Sequence, residues 1–239
     1  MAKNTIKKVL LFIVEGANDE AALGMPLENL QKTRSMDNLI RLGVTHGDIT
    51  CDKNVRNIAH KVSDCVKEYC TKYKLDKTDI CEVALLIDMD GAYISDDARI
   101  QSDKHAEAYY DEDVILHSRL ESLQMTHKRK RKHVNNLVGL KHVLKNIPFS
   151  IYFVSCNFDH IICGNANLNN REKSIAADNF SLKYSEDANG FFTFFHTPEF
   201  TLGTTYEESW NAIKQGTNSL QRYSNLNVFL AKHYPDCET

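Results

Sequence analysis

The sequence predicts an α/β protein in which a mainly parallel sheet is flanked by helices. Three observations carry this. Compact apolar runs rich in β-branched residues recur at Lys8–Val14 (KVLLFIV), 82–87 (EVALLI) and 149–154 (FSIYFV). Each has strand length and is almost wholly apolar, as in strands covered on both faces. Stretches of helical periodicity lie between them, and parallel strands need such crossovers. The chain has 239 residues, 42% hydrophobic and 26% charged, enough for one large core.

The elements follow in order. Residues 18–32 read as a helix, with Asn18 as N-cap and Pro26 as a kink or break. Residues 42–50 (LGVTHGDIT) read as a short strand with a turn at His46-Gly47. Residues 54–73 form an amphipathic helix, with Val55, Ile58, Ala59, Val62, Val66 and Tyr69 at three- and four-residue spacing. Polar residues 97–110 read as a loop. Residues 114–145 read as largely helical, interrupted by the basic run HKRKRKH at 127–133. Residues 161–183 read as helical with a polar break at 165–170, 191–195 as an edge strand or packed loop, and 206–223 and 227–233 as closing helices. There is no internal repeat and no low-complexity tract. One α/β domain with a helical C-terminal extension from about Phe158 is the simplest partition.

Composition excludes several classes. A formal net charge of −3 argues against a surface that binds nucleic acid everywhere, while leaving room for a local basic groove. No run approaches the roughly 20 apolar residues that cross a bilayer. The basic, apolar N-terminus lacks the small-residue cleavage site of a signal peptide. Seven cysteines without a CxxC pair point to reduced thiols and a cytoplasmic location. Cys65 and Cys70, within a helical stretch, read as small half-buried hydrophobes.

The strong strands all end in acid: Glu15 after the first, Asp88 and Asp90 after the second, Asp159 just past the third. Ligands in open α/β sheets bind beyond the carboxyl ends of the strands. Any one of these acids reads more simply as a helix cap. Together they would crowd and repel one another unless a cation neutralised them, and oxygen donors suit Mg²⁺ or Mn²⁺. Gly16 and Gly91 would let a phosphate or backbone approach.

The pairing of IVEGANDEAAL (13–23) with LLIDMDG (85–91) resembles the TOPRIM domain of topoisomerases, bacterial primases and many nucleases. Glu15 and Gly16 match its Glu-Gly strand end, and Asp88 and Asp90 its Asp-x-Asp. The segment SCNFDH (155–160) resembles the Ser-Asn-Pro-x-Phe-Glu stretch of small TOPRIM proteins of the RloB-like and OLD-like groups. Cys156 and Asn157 stand where that stretch has Asn-Pro, and Asp159 where it has Glu. The likeness covers roughly residues 8–165. It implies a TOPRIM-like α/β domain at 1–157 with a mainly helical extension at 158–239 packed on it. It further implies a Mg²⁺-dependent nuclease, with Glu15 as general base or metal ligand, Asp88 and Asp90 as ligands, and Asp159 as a further ligand. Lys104, His105 and His160 are candidates for the cation that neutralises transition-state charge. The two groups are associated with phage defence, so the resemblance also implies a toxic antiviral effector working beside a separate ATPase. The chain itself has no GxxxxGK[ST] loop, and a homodimer is compatible with it.

Two other readings compete. LLIDMDG also resembles the first motif of haloacid-dehalogenase-type phosphatases, with Asp88 as nucleophile and Asp90 as acid/base. That reading gives Glu15 no task, and Ala92 stands where that family has Thr or Val. Alternatively, the chain is a non-catalytic subunit of a defence complex. In the basic run, Lys128, Arg129, Lys130 and Arg131 read either as a solvated helix face or as contacts to a nucleic-acid backbone. The phenylalanines of GFFTFFHTPEF (190–200) and Trp210 read mainly as core, because exposed they would invite aggregation.

Overall fold

The computed structural model describes residues 8–34, 40–50 and 57–235. Strand β1 (Lys8–Val14) is followed by helix α1 (Ala17–Arg34), strand β2 (Ile40–His46), helix α2 (Ile58–Tyr73) and strand β3 (Ile80–Asp88). Three short strands, β4 (Arg99–Gln101), β5 (Tyr109–Tyr110) and β6 (Ile115–His117), precede helix α3 (Leu120–Val138). Strands β7 (His142–Val143) and β8 (Ile147–Val154) come next. Helices α4 (Phe158–Cys163), α5 (Asn170–Tyr184), α6 (Ala188–His196), α7 (Tyr206–Ala212) and α8 (Leu226–His233) close the chain.

The main sheet has five strands in the order β2-β1-β3-β8-β7. The first four are parallel, and β7 pairs antiparallel with β8 at the edge. Period-two alternation divides the side chains between two buried faces. Val9, Leu11 and Ile13 of β1, with Val83, Leu85 and Ile87 of β3, pack under α2, α3 and Trp210. Leu10, Phe12, Ala84, Leu86 and Tyr152 pack under α1, α5, α6 and α8. The apolar runs are therefore continuous because both sides of these strands are covered. Cys65 and Cys70 are buried in the first of these layers. Among the described residues no helix is long and apolar enough to cross a membrane.

Several local expectations are corrected. Helix α1 runs unbroken through Pro26, which is buried in it; packing against β2, α5 and α6 along its length outweighs the lost N–H. Its first turn is closed by Asp19, whose Oδ2 accepts from the Gly16 N–H at 2.9 Å, and Asn18 is no cap. Helix α2 starts at Ile58 with Asn57 as N-cap; the expected start at 54 lies outside the described residues. The polar stretch 97–117 holds a small sheet in the order β4-β6-β5, over a satellite core of Ile94, Ile115, Leu123, Cys156 and Leu220. Residues 191–195 belong to helix α6, with Phe191, Phe192 and Phe195 buried on one face. The basic run does not interrupt α3 but lies inside it.

Candidate active site

The chain leaves β1 for β2 on one side, then returns to place β3 on the other side of β1. Helices α1 and α2 cover opposite faces. The crevice beyond the carboxyl ends of β1 and β3 is thus a topological switch point, where open parallel sheets bind ligands. Glu15 and Asp88 lie at its two sides.

Glu15 is held by four donors. Its Oε1 accepts from the Thr50 N–H at 3.0 Å and from the Thr50 hydroxyl. Its Oε2 accepts from the Asp88 N–H at 3.1 Å and faces the Lys130 ammonium at 3.4 Å. The Asp48 N–H also donates to the Glu15 carbonyl at 3.0 Å, so the loop after β2 is tied to this corner.

Beyond Asp88 the strand bends. The Met89 N–H donates to the Val154 carbonyl at 3.0 Å and the Asp90 N–H to the Cys156 carbonyl at 2.7 Å. Asp90 and Gly91 both take left-handed backbone, with φ of 49° and 64°. Asp88 and Asp90 line the same cavity. Asp90 binds Lys130 through Oδ2 and lies 3.4 Å from the Tyr110 hydroxyl through Oδ1. Gly91 gives no room to a ligand: a Cβ there would lie 2.6 Å from Ile115 Cδ1. Its missing side chain serves packing and the left-handed turn.

The basic run divides by helical phase. His127, Lys130 and His133 face inward, at 1%, 3% and 6% exposure. Lys128 and Lys132 are exposed, and Arg129 and Arg131 half-buried. Lys130 therefore does not sit on an outer face with Lys128; it neutralises Asp90 and Glu15. Arg131 donates to the Ala92 carbonyl. Burial, then the Arg99 charge, pushes His127 down to about 3, and its neutral Nδ1 accepts from Arg99 Nε at 3.1 Å. His133 Nδ1 donates to the Thr50 carbonyl at 3.1 Å, fixing the residue that grips Glu15. A buried stripe made of His and Lys carries no hydrophobic signal, which hid it in the sequence.

Asp159, in the first turn of α4, is 5% exposed and pairs with Lys173 at 2.8 Å. Burial works against the Lys173 ammonium, but the bond to Asp159 outweighs it and raises that group. Lys104 and His105 line the cavity with Asp88 and Asp90, whereas His160 lines a smaller neighbouring one.

Asp19 was not singled out by the sequence. Burial pushes its carboxyl up to about 7; the Gly16 N–H opposes this and the charges of Asp159 and Glu15 add to it. Burial also pushes Asp88 well above the usual range, helped by Asp19, Asp90 and Glu15. In both, burial is the larger cause and the neighbouring carboxylates add to it, with Lys173 opposing it at Asp19 and Lys130 at Asp88. A carboxyl raised in the fold stabilises fully below its unfolded value, roughly 3.9, and loses that contribution as pH rises through about 7. In EDTA, the stability of Asp19→Asn relative to wild type should therefore improve between pH 5 and pH 8. Urea midpoints check this, since the opposite titration of His127 is common to both proteins. A difference that stays level or moves the other way contradicts it.

Among the described residues, no group of three or more His, Cys, Asp or Glu side chains is placed so that it could hold a metal ion. The donors that converge are oxygens only, five carboxylates (Glu15, Asp19, Asp88, Asp90, Asp159) against two ammonium groups, Lys130 and Lys173. Carboxylate oxygens are the donors that a hard divalent ion takes, completed by waters and substrate oxygens. No family model, curated protein or solved structure matches the chain.

Proposed function

We propose that the protein is a Mg²⁺- or Mn²⁺-dependent nuclease with a TOPRIM-like catalytic core, hydrolysing phosphodiester bonds in DNA or RNA. The observation that carries this reading is the junction at the switch point. Glu15 and Asp90, 75 residues apart in sequence, share one buried ammonium, and Glu15 grips the backbone of Asp88. Chemistry on a phosphodiester needs negative ligands for a cation, a proton acceptor and positive charge for the developing phosphorane. Each has a candidate here.

Glu15, Asp88 and Asp90 would hold the divalent ion, with Asp19 and Asp159 behind them. When bound, such an ion supplies Lewis-acid stabilisation of phosphoryl oxygens and an acidified water. Both Glu15 oxygens are already engaged by donors. Asp88 lines the cavity, where its carboxylate would meet an attacking water. Lys104 and Lys173 line the cavity, where they would meet phosphate charge, while buried Lys130 sets the charge of the cluster through Asp90 and Glu15. Exposed Lys128 and Lys132, with half-buried Arg129 and Arg131, offer the nucleic-acid backbone a basic helix face.

A role as toxic effector of antiviral defence, beside a separate ATPase in the cytoplasm, rests on the resemblance in sequence alone. Activity should appear with DNA or RNA in Mn²⁺ or Mg²⁺ and vanish in EDTA. Gel assays of both nucleic acids, run beside a small aryl phosphomonoester, check this. Phosphate release from the monoester without strand cleavage would favour the phosphatase. Neither activity would favour a non-catalytic subunit.

A further inference from the structure

The cavity in front of Asp88 and Asp90 has a volume of about 710 Å³, within the roughly 300–1,000 Å³ of small-ligand sites. Its lining is of two chemical kinds. One group of lining residues is Asp88, Asp90 and Lys173. The other is the wall formed by the 104–110 segment and by 166–170, which is rich in asparagine. The Tyr109 ring, 40% exposed, packs on His105 with centroids 4.5 Å apart and planes at 30°.

That wall is built before any ligand arrives. The Tyr110 N–H donates to Asn167 Oδ1 at 2.8 Å, and Asn167 Nδ2 donates to the Tyr110 carbonyl at 2.7 Å. Asn157 Nδ2 ties the Ala166 carbonyl at 2.8 Å. Tyr110 in turn reaches Asp90 through its hydroxyl. The aromatic wall is thus fixed relative to the acids by hydrogen bonds from both sides.

An aromatic ring and a phosphate-handling group lining one space of ligand size match one nucleotide whose base is unstacked from its neighbours. A duplex keeps its bases inside and presents only backbone to such a wall. We propose that the cavity takes a single unpaired nucleotide, its phosphate at Asp88 and Asp90 and its base on Tyr109, so the substrate is single-stranded or looped nucleic acid. This rests on the nuclease reading for the phosphate contact, while the base contact can be tested by binding alone.

The test is fluorescence anisotropy of the full chain in Ca²⁺ with labelled single-stranded DNA, single-stranded RNA and duplexes of equal length. Single strands should bind at least about tenfold tighter than duplexes. Tyr109→Ala should weaken single-strand binding by about 5- to 150-fold, the range of one base–aromatic stack. Tyr109→Phe, which keeps the ring, should bind as wild type does, and circular dichroism confirms that both variants fold. A tighter DNA or RNA strand identifies the sugar and supports the proposal either way. Duplex binding as tight as single-strand binding, an unaffected Tyr109→Ala, or no binding at all overturns it. Cleavage by the wild type, read in parallel, reports on the nuclease reading separately.

Discussion

Glu15→Gln should lower phosphodiester cleavage by about 10²- to 10⁴-fold while leaving the protein folded. The amide keeps an oxygen that can accept from Thr50, so the link between β1 and the loop after β2 survives. What it loses is the charge at Oε2, the atom that meets both the Asp88 N–H and Lys130. With that charge gone, Lys130 is left to Asp90 and the cluster holds a divalent ion less well. Single-turnover rates across a Mg²⁺ titration measure the effect. The loss should be largest at low Mg²⁺ and shrink as the ion is raised. Cleavage at the wild-type rate at every concentration would falsify the assignment of Glu15.

Lys130→Met should cost about 3–5 kcal/mol of stability in EDTA, the usual penalty for leaving a buried charge without its partner. Met fills the space of the lysine stem but supplies no charge. Glu15, 8% exposed, and Asp90, 30% exposed, would then face each other beside Asp88 with one ammonium fewer. A divalent ion should therefore stabilise this variant more than wild type. Where the ion reaches 100 times its Kd, linkage sets its stabilisation of the folded state at about 2.7 kcal/mol. Urea denaturation of both proteins in EDTA and in Mg²⁺ tests this. An equal response to Mg²⁺ in the two would show that Lys130 and the ion do not compete for the same carboxylates. Cleavage by the variant should still fall, because Glu15 and Asp90 lose the ammonium that holds them together.

The layered sheet was legible because β1, β3 and β8 are buried on both faces and so read as unbroken apolar runs. Their terminal acids were legible for the same reason: a carboxylate directly after such a run stands out. Helix α2 showed itself through apolar periodicity. What escaped has physical causes. Strands β4, β5 and β6 are two or three residues long, too short for alternation to register. Helix α3 buries His127, Lys130 and His133, so its inward stripe is polar and the run looked like surface. Pro26 argued for a break that packing overrides. Asp19, one helical turn beyond Glu15, had no apolar run before it to mark it. The basic run was noticed, but only tertiary structure separates the lysine that turns inward from those that face solvent.

The contacts that assemble the site span long stretches of chain. The bond from Asp88 to Glu15 closes a separation of 73 residues, and that from Lys130 to Glu15 one of 115. Loop closures of this length come late in folding, after local helices have formed. A nascent chain still short of α3, or a fragment cut between β3 and α3, lacks the ammonium and cannot compose the cluster. Whatever reactivity these acids confer is therefore silent until α3 has been made and has docked.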